Sequence, residues 1–313
     1  MSGKKIPAVV IIGPTASGKS ALAVELARLI GGEIISGDSM QVYRGMDIGT
    51  AKPSERERGG IRHHLIDILD IDRPFSCADF TSLATECAKD ICSRGKIPVI
   101  AGGTGLYIEM LISGTQTAPA PADARLRAEL YAYASRNGNG ALWKRLEEID
   151  PDAAAGIHPN NVKRVVRAIE VYRTTGETKT EQDRLSRCAG SPFAPFVVCL
   201  SGDRDVIYSR IDSRFDLMLE QGLEDEVRAL CARGLEDAPT ASQAIGYKEF
   251  FPYIHGTAGF DEAVEEAKKS SRNYAKRQLT YFRRMHADMF ADMLSDKCET
   301  SVNIADMLSK AHL

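Results

Sequence analysis

Gly13-Pro14-Thr15-Ala16-Ser17-Gly18-Lys19-Ser20 follows the spacing GxxxxGK[ST]. Glycines at both ends of such a run let successive backbone N–H groups turn inward around phosphate oxygens. A helix that starts at Lys19 would add the positive end of its dipole, Lys19 a point charge, and the Ser20 hydroxyl a ligand for Mg²⁺. The pattern predicts a site for a di- or triphosphate without naming the ligand.

A phosphate-loop hydrolase usually carries an aspartate at the end of an apolar strand to hold its metal. The best such strand here, Ile97-Pro98-Val99-Ile100-Ala101, runs into Gly102-Gly103-Thr104 instead. The carboxylate expected nearest the loop is Asp38, just past a second strand. By residue type Asp38 can be a metal-linked ligand, a general base or the cap of a turn, and the three stay open at this point.

These residues need elements to hold them. Ile6 to Ile12 is short, apolar and β-branched, as a buried parallel strand must be. After the glycine-rich run, Leu22, Leu26, Leu29 and Ile30 keep the helical period, and Gly31-Gly32 ends it. Glu33–Ser36 and 97–101 read as further strands, so the fold class is α/β: a P-loop NTPase-like parallel sheet, covered on both faces. From Gly114 to Gly190 the pattern is helical, after a loop at 115–122 with Pro119 and Pro121. Val197–Leu200 then resumes as a strand, followed by a helix at 206–221. The expected organisation is a core of residues 1–118 and 192–313 with an all-helical insert at 119–191. The charged segment after Ser295 is expected to fray.

The bulk figures are those of a globular protein: 313 residues, 43% hydrophobic and 27% charged. No stretch nears the roughly 20 apolar residues of a membrane span. A cytoplasmic monomer with no membrane partner is expected. The seven cysteines (Cys77, Cys87, Cys92, Cys188, Cys199, Cys231, Cys298) are scattered and lack zinc or CxxC spacing, so reduced thiols are expected. His63 and His64 are adjacent and point to opposite faces of an extended segment, which does not suit a metal pair. Trp143 is expected in the core of the insert.

The net charge is only −3, yet the charge is unevenly spread. Lys268, Lys269, Arg272, Lys276, Arg277, Arg283 and Arg284 follow one another with no acid among them. On a helix, Lys269, Arg272, Lys276 and Arg283 form one stripe and Tyr274, Tyr281 and Met285 another, an electrostatic track for a phosphate backbone. Lys163, Arg164 and Arg167 make a second patch, with Glu170 close by.

Taken together, the motifs resemble the tRNA dimethylallyltransferase (tRNA isopentenyltransferase) family. The likeness rests on Gly13–Ser20, Asp38-Ser39-Met40-Gln41-Val42-Tyr43, Asp47–Pro53, His63–Asp67, Gly102–Tyr107, Arg164–Glu170, Gln243–Glu249 and Tyr274–Gln278, in order over nearly the whole chain. The zinc-finger extension of eukaryotic members is not seen, so the bacterial form is expected.

The resemblance implies dimethylallyl transfer from its diphosphate to N6 of the adenosine 3′ of the anticodon in tRNA. The diphosphate would lie on residues 13–20 with Mg²⁺ at Ser20. Asp38 would be the general base and Thr104 would stand at the reacting centre. An arginine of the 206–221 helix is expected on the diphosphate; Arg210 and Arg214 share a face at i,i+4, and Arg210 is favoured. The anticodon stem-loop would meet Asp38, Ser39, Met40, Gln41, Thr104, Arg127, Lys163, Arg164, Arg167, Gln243, Gly246, Lys248, Lys276, Arg277 and Arg283. A P-loop kinase of a small metabolite leaves the 268–284 run unexplained. Prenyl transfer to free adenine nucleotides needs neither that run nor the insert. A nucleotide switch calls for a strand-end aspartate and a base-specific motif, and neither is found.

Overall fold

Apolar β-branched runs and glycine stops produce the core in chain order. The computed structural model describes residues 5–115 and 123–310, with the side chains of 186–189 left aside, so most of the predicted 115–122 loop lies outside the described residues. Strand β1 (Ile6–Ile12) leads to α1 (Lys19–Ile30), β2 (Glu33–Ser36), α2 (Glu55–Arg58) and β3 (His63–His64). Then come α3 (Cys77–Ser93), β4 (Pro98–Gly102) and α4 (Gly105–Ser113). After the insert follow β5 (Phe193–Ser201), α10 (Arg204–Glu220), α11 (Leu223–Ala232), α12 (Phe251–Ile254), α13 (Phe260–Phe282), β6 (Met289–Asp292) and α14 (Lys297–Lys310). The insert itself holds α5 (Ala124–Asn137), α6 (Asn139–Ile149), α7 (Pro151–Gly156), α8 (Val162–Thr175) and α9 (Lys179–Ala189).

The strands make one parallel six-stranded sheet in the order β3-β2-β4-β1-β5-β6. Alternation along β1 sends Val9 and Ile11 to one face, with Leu22 and Leu26 of α1, and Val10 and Ile12 to the other, with Phe80 and Ile91 of α3. Register decides where chemistry collects. Ile12 pairs with Gly102 and with Cys199, and Ser36 pairs with Ala101. The segments after β1, β2, β4 and β5 therefore leave the sheet at a common edge. The chain fills one side of β1 first and the other afterwards, and open parallel sheets bind ligands at such a switch of direction.

Over the described residues, the segment after Ser295 does not fray. It folds as α14, which packs on α1 with Ile304 and Leu308 buried. Burying that apolar pair outweighs the surrounding charges, which stay on the outer side.

Two compact units result, Met1–Ile112 with Pro192–Leu313, and Ser113–Ser191. The second has its own core of Leu130, Leu142, Leu146, Val165 and Ile169, against which Trp143 packs. The Trp143 indole N–H donates to the carbonyls of Ala154 (3.1 Å) and Ile157 (2.7 Å). Among the described residues no helix is long and apolar enough to cross a membrane, and the cysteines are free thiols.

Candidate active site

The loop after β1 has the backbone of an anion cradle. Gly13 (φ 155°), Ala16 (φ 61°) and Gly18 (φ 85°) all have positive φ, and alternating hands is how consecutive N–H groups converge on an anion. Ala16 holds that conformation without being glycine, at a cost of about 1–2 kcal/mol. Ser17 is fully buried and its Oγ has no hydrogen-bond partner among the described residues. The Lys19 ammonium donates to the Pro14 carbonyl at 2.6 Å, folded back over the loop. Burial chiefly, and then Arg214, brings the Lys19 pKa down to about 7, against the opposing pull of Asp38.

Gln278 ties the loop in place. Its side chain on α13 is buried; Oε1 accepts the Thr15 N–H (2.8 Å) and Nε2 donates to the Gly103 carbonyl (2.8 Å). One amide thus links the phosphate loop to the turn after β4. A Cβ on Gly103 would run into the Gln278 amide nitrogen and displace that amide from its bonds. Sequence reading placed Gln278 in a family motif but gave it no role. The available signal was a glutamine on the inward face of an amphipathic helix, where it must be hydrogen-bonded.

Next to the loop lies a cavity of about 230 Å³, whose lining includes Thr15, Asp38, Thr50, Arg214, Gln243 and Tyr274. Ser39, Met40 and Gly246 line it too. Asp38 Oδ1 accepts the N–H groups of Met40 (2.8 Å) and Gln41 (3.3 Å), the turn cap that its residue type allowed. Oδ2 is left to face other chemistry. Gln41 is engaged internally: its amide donates to the carbonyls of Thr50 (3.2 Å) and Ala51 (3.3 Å), and its Oε1 accepts the Ser36 hydroxyl (3.0 Å). Thr104 begins the turn into α4 and meets the Tyr274 hydroxyl. Burial, with Asp38 second, pushes Tyr274 up to about 12.

The two candidate arginines of α10 stand in different surroundings. Arg214, not Arg210, lines the cavity, and burial lowers its pKa. Arg210 is exposed and lies in the field of Lys297, whose side chain runs past Gly18.

For Mg²⁺, the exposed Ser20 hydroxyl at the start of α1 offers one oxygen. Among the described residues no group of three or more His, Cys, Asp or Glu could hold a metal. That donor set fits an ion carried in on phosphate oxygens and water, as Mg²⁺ usually is.

The family model described as IPP transferase matches residues 41–285. A tRNA dimethylallyltransferase of Halalkalibacterium halodurans is 48% identical over 88% of this chain and 87% of its own. That of Bacillus subtilis is 43% identical over 98% and 99%. The chain belongs to the IPP transferase family. The crystal structure of the full-length tRNA isopentenylpyrophosphate transferase from Bacillus halodurans is similar at TM-score 0.73 and 44% identity, over 98% of this chain and 96% of that one. A eukaryotic dimethylallyltransferase acting on tRNA is similar at TM-score 0.80 and 29% identity, over 96% and 77%.

In this family member the basic run of α13 is narrower than its composition suggested. Lys268 pairs with Asp216 and Arg272 with Asp212, each at 2.5 Å, and Lys269 pairs with Glu266 at 2.8 Å. Within the stripe of Lys269, Arg272, Lys276 and Arg283, Lys269 is exposed but paired and Arg272 is half-buried and paired, while Lys276, Arg277, Arg283 and Arg284 are exposed. Arg277 also lies over the Tyr274 ring, 5.6 Å from its centroid. Gln243 is exposed, Gly246 is buried, and Lys248 lies 4.0 Å from Glu249. In the insert, Arg127 (2.7 Å) and Arg167 (2.7 Å) both pair with Glu170, which is fully buried; burial pushes its carboxyl up, but Arg127, Arg167 and the Asp123 N–H together bring it below its ordinary value. Lys163 and Arg164 are exposed.

Proposed function

We propose that this protein transfers a dimethylallyl group from dimethylallyl diphosphate to N6 of the adenosine 3′ of the anticodon in tRNA. One observation carries the reading: a single cavity is lined at once by Thr15 of the phosphate loop, by Asp38 and by Arg214. Its volume suits a flipped-out adenine, and a target in an unpaired loop costs least to extrude.

In this reading the bond from the allylic carbon to the diphosphate oxygen breaks, and its electron pair leaves with the diphosphate. N6 bonds to that carbon and gives one proton to Asp38, whose Oδ1 is fixed by backbone N–H groups while Oδ2 receives it. Lys19, Arg214 and the inward N–H groups hold the charge that develops on the leaving group. Bound Mg²⁺, ligated by Ser20, would neutralise part of that charge. Thr104 and Tyr274 bound the reacting centre. Lys276, Arg277 and Arg283, with Arg127, Lys163, Arg164 and Arg167 of the insert, would meet the anticodon stem-loop.

Incubation with radiolabelled dimethylallyl diphosphate, Mg²⁺ and unmodified tRNA tests the reading, beside tubes holding AMP or ATP. Label in tRNA supports it. Label in free nucleotide alone, or ATP consumed with no prenyl transfer, would sink it. With Asp38→Ala, single-turnover transfer should fall by roughly 10²–10⁴ while tRNA affinity stays within a few-fold. An unchanged rate removes Asp38 from the chemistry.

A further inference from the structure

Glu226 lies outside the cavity, in the first turn of α11, yet its carboxylate joins two of the cavity's walls. Oε2 accepts the N–H groups of Asp47 (3.0 Å) and Ile48 (2.8 Å). Oε1 accepts the Gly49 N–H (3.1 Å) and the Tyr247 hydroxyl (2.6 Å). Tyr247 is fully buried and its ring lies against Gly49, so closely that a Cβ there would stand 2.5 Å from a ring carbon.

From this knot, hydrogen bonds run in two directions. One passes along the 47–51 strap to the Thr50 and Ala51 carbonyls, which hold the Gln41 amide; the Gln41 N–H in turn meets Asp38 Oδ1. The other passes through Tyr247 to Gly246, whose N–H is held by Glu249 at 2.8 Å, and so to the 243–246 segment that lines the cavity. We infer that Glu226 is a positioning residue for prenyl transfer, setting the gap between the Asp38 wall and the Gln243–Gly246 wall where the adenine is held. This inference rests on the function proposed above.

The ionised carboxylate suits the task because it accepts only, with about four lone-pair sites for four donors. An amide of the same shape keeps one accepting oxygen and turns an NH₂ toward N–H donors. Glu226→Gln should therefore release one wall without emptying any volume. A displacement on the order of 1 Å at a reacting pair costs about 10²-fold in rate.

The test uses the full chain and single-turnover transfer at saturating tRNA. Glu226→Gln should slow transfer by about 10–10²-fold while tRNA affinity changes less than about threefold, and Glu226→Asp should recover part of the loss. Combined with Gln41→Ala, it should be no slower than the slower single variant by more than about threefold, since both act through one strap. If Glu226→Gln does not fold, Tyr247→Phe, which removes one donor, should slow transfer at unchanged tRNA affinity. A wild-type rate in the folded variant, fully additive losses, or affinity falling in parallel with rate would each overturn the positioning role. Failure of the wild type to label tRNA would instead strike the proposed function.

Discussion

Binding of a diphosphate at residues 13–20 should take up a proton, because Lys19 is held near neutrality in the free protein. Its pKa of about 7 arises from burial first and Arg214 second, with Asp38 pulling the other way. At that value about half of the ammonium is deprotonated at pH 7, about nine-tenths at pH 8 and about one-tenth at pH 6. A bound diphosphate places negative charge beside Nζ, favours the charged form and raises the pKa. The uptake therefore equals the neutral fraction beforehand: about 0.1 proton at pH 6, 0.5 at pH 7 and 0.9 at pH 8. Affinity should correspondingly weaken as pH rises above 7, by up to about tenfold per unit. Calorimetric titration with inorganic diphosphate, in two buffers of different ionisation enthalpy at each pH, reads the uptake directly. Lys19→Arg is the control, since a guanidinium does not titrate here and the anion's own protonation cancels in the difference. Equal uptake by wild type and Lys19→Arg at pH 8 would refute the reasoning, and with it the reading of Lys19 as a buried, partly neutral group.

Three further outcomes are expected. Arg214→Ala should lower transfer by about 10²–10³, the cost of removing one charge-stabilising donor, while Arg210→Ala has a smaller effect; the reverse order in single-turnover assays would return the assignment to Arg210. Glu33 is 2% exposed and accepts from Arg94, from Lys96 (2.8 Å) and from His64 (2.8 Å), so Glu33→Gln should cost about 2–4 kcal/mol in urea unfolding at pH 7. Arg94 chiefly holds the Glu33 pKa below its ordinary 4.5, so this contribution is present above that pH and is lost as pH falls below it; a difference between wild type and variant that shrinks between pH 8 and 5 would contradict that sign. Lys276→Ala and Arg277→Ala should each weaken tRNA binding and flatten its log–log salt slope by about one unit, whereas an unchanged slope in filter-binding assays would take that residue off the phosphate track.

How much was legible follows from how local each interaction is. The phosphate loop is contiguous, and its strand, turn and helix announce themselves within a short window. Asp38 was legible for a related reason: it lies just past a buried strand, and parallel strands deliver their carboxyl ends to one edge, whereas Thr104 was named through the family resemblance. Arg210 and Arg214 were not separable, because i,i+4 spacing puts both on one face of α10. Which of them reaches the cavity depends on where along the helix the cavity falls.

Part of the basic run is paired with acids for a reason that could have been seen. Asp212 and Asp216 are spaced i,i+4 on α10, and Lys268 and Arg272 are spaced i,i+4 on α13. The pairs form in reversed order, Arg272 to Asp212 and Lys268 to Asp216, as two antiparallel helices require. Counting acids inside the run misses acids that the fold brings alongside it. Glu226 marks the deeper limit. In the sequence it is one of three acids opening a helix, next to Glu224 and Asp225, and the helix dipole accounts for all three equally. Only the third meets the Asp47–Gly49 backbone, because helix rotation selects one direction in three and the strap must already be folded to present its N–H groups. Chemistry carried by a side chain's own type can be read from sequence; chemistry carried by backbone donors from a distant segment becomes visible only once both segments are in place.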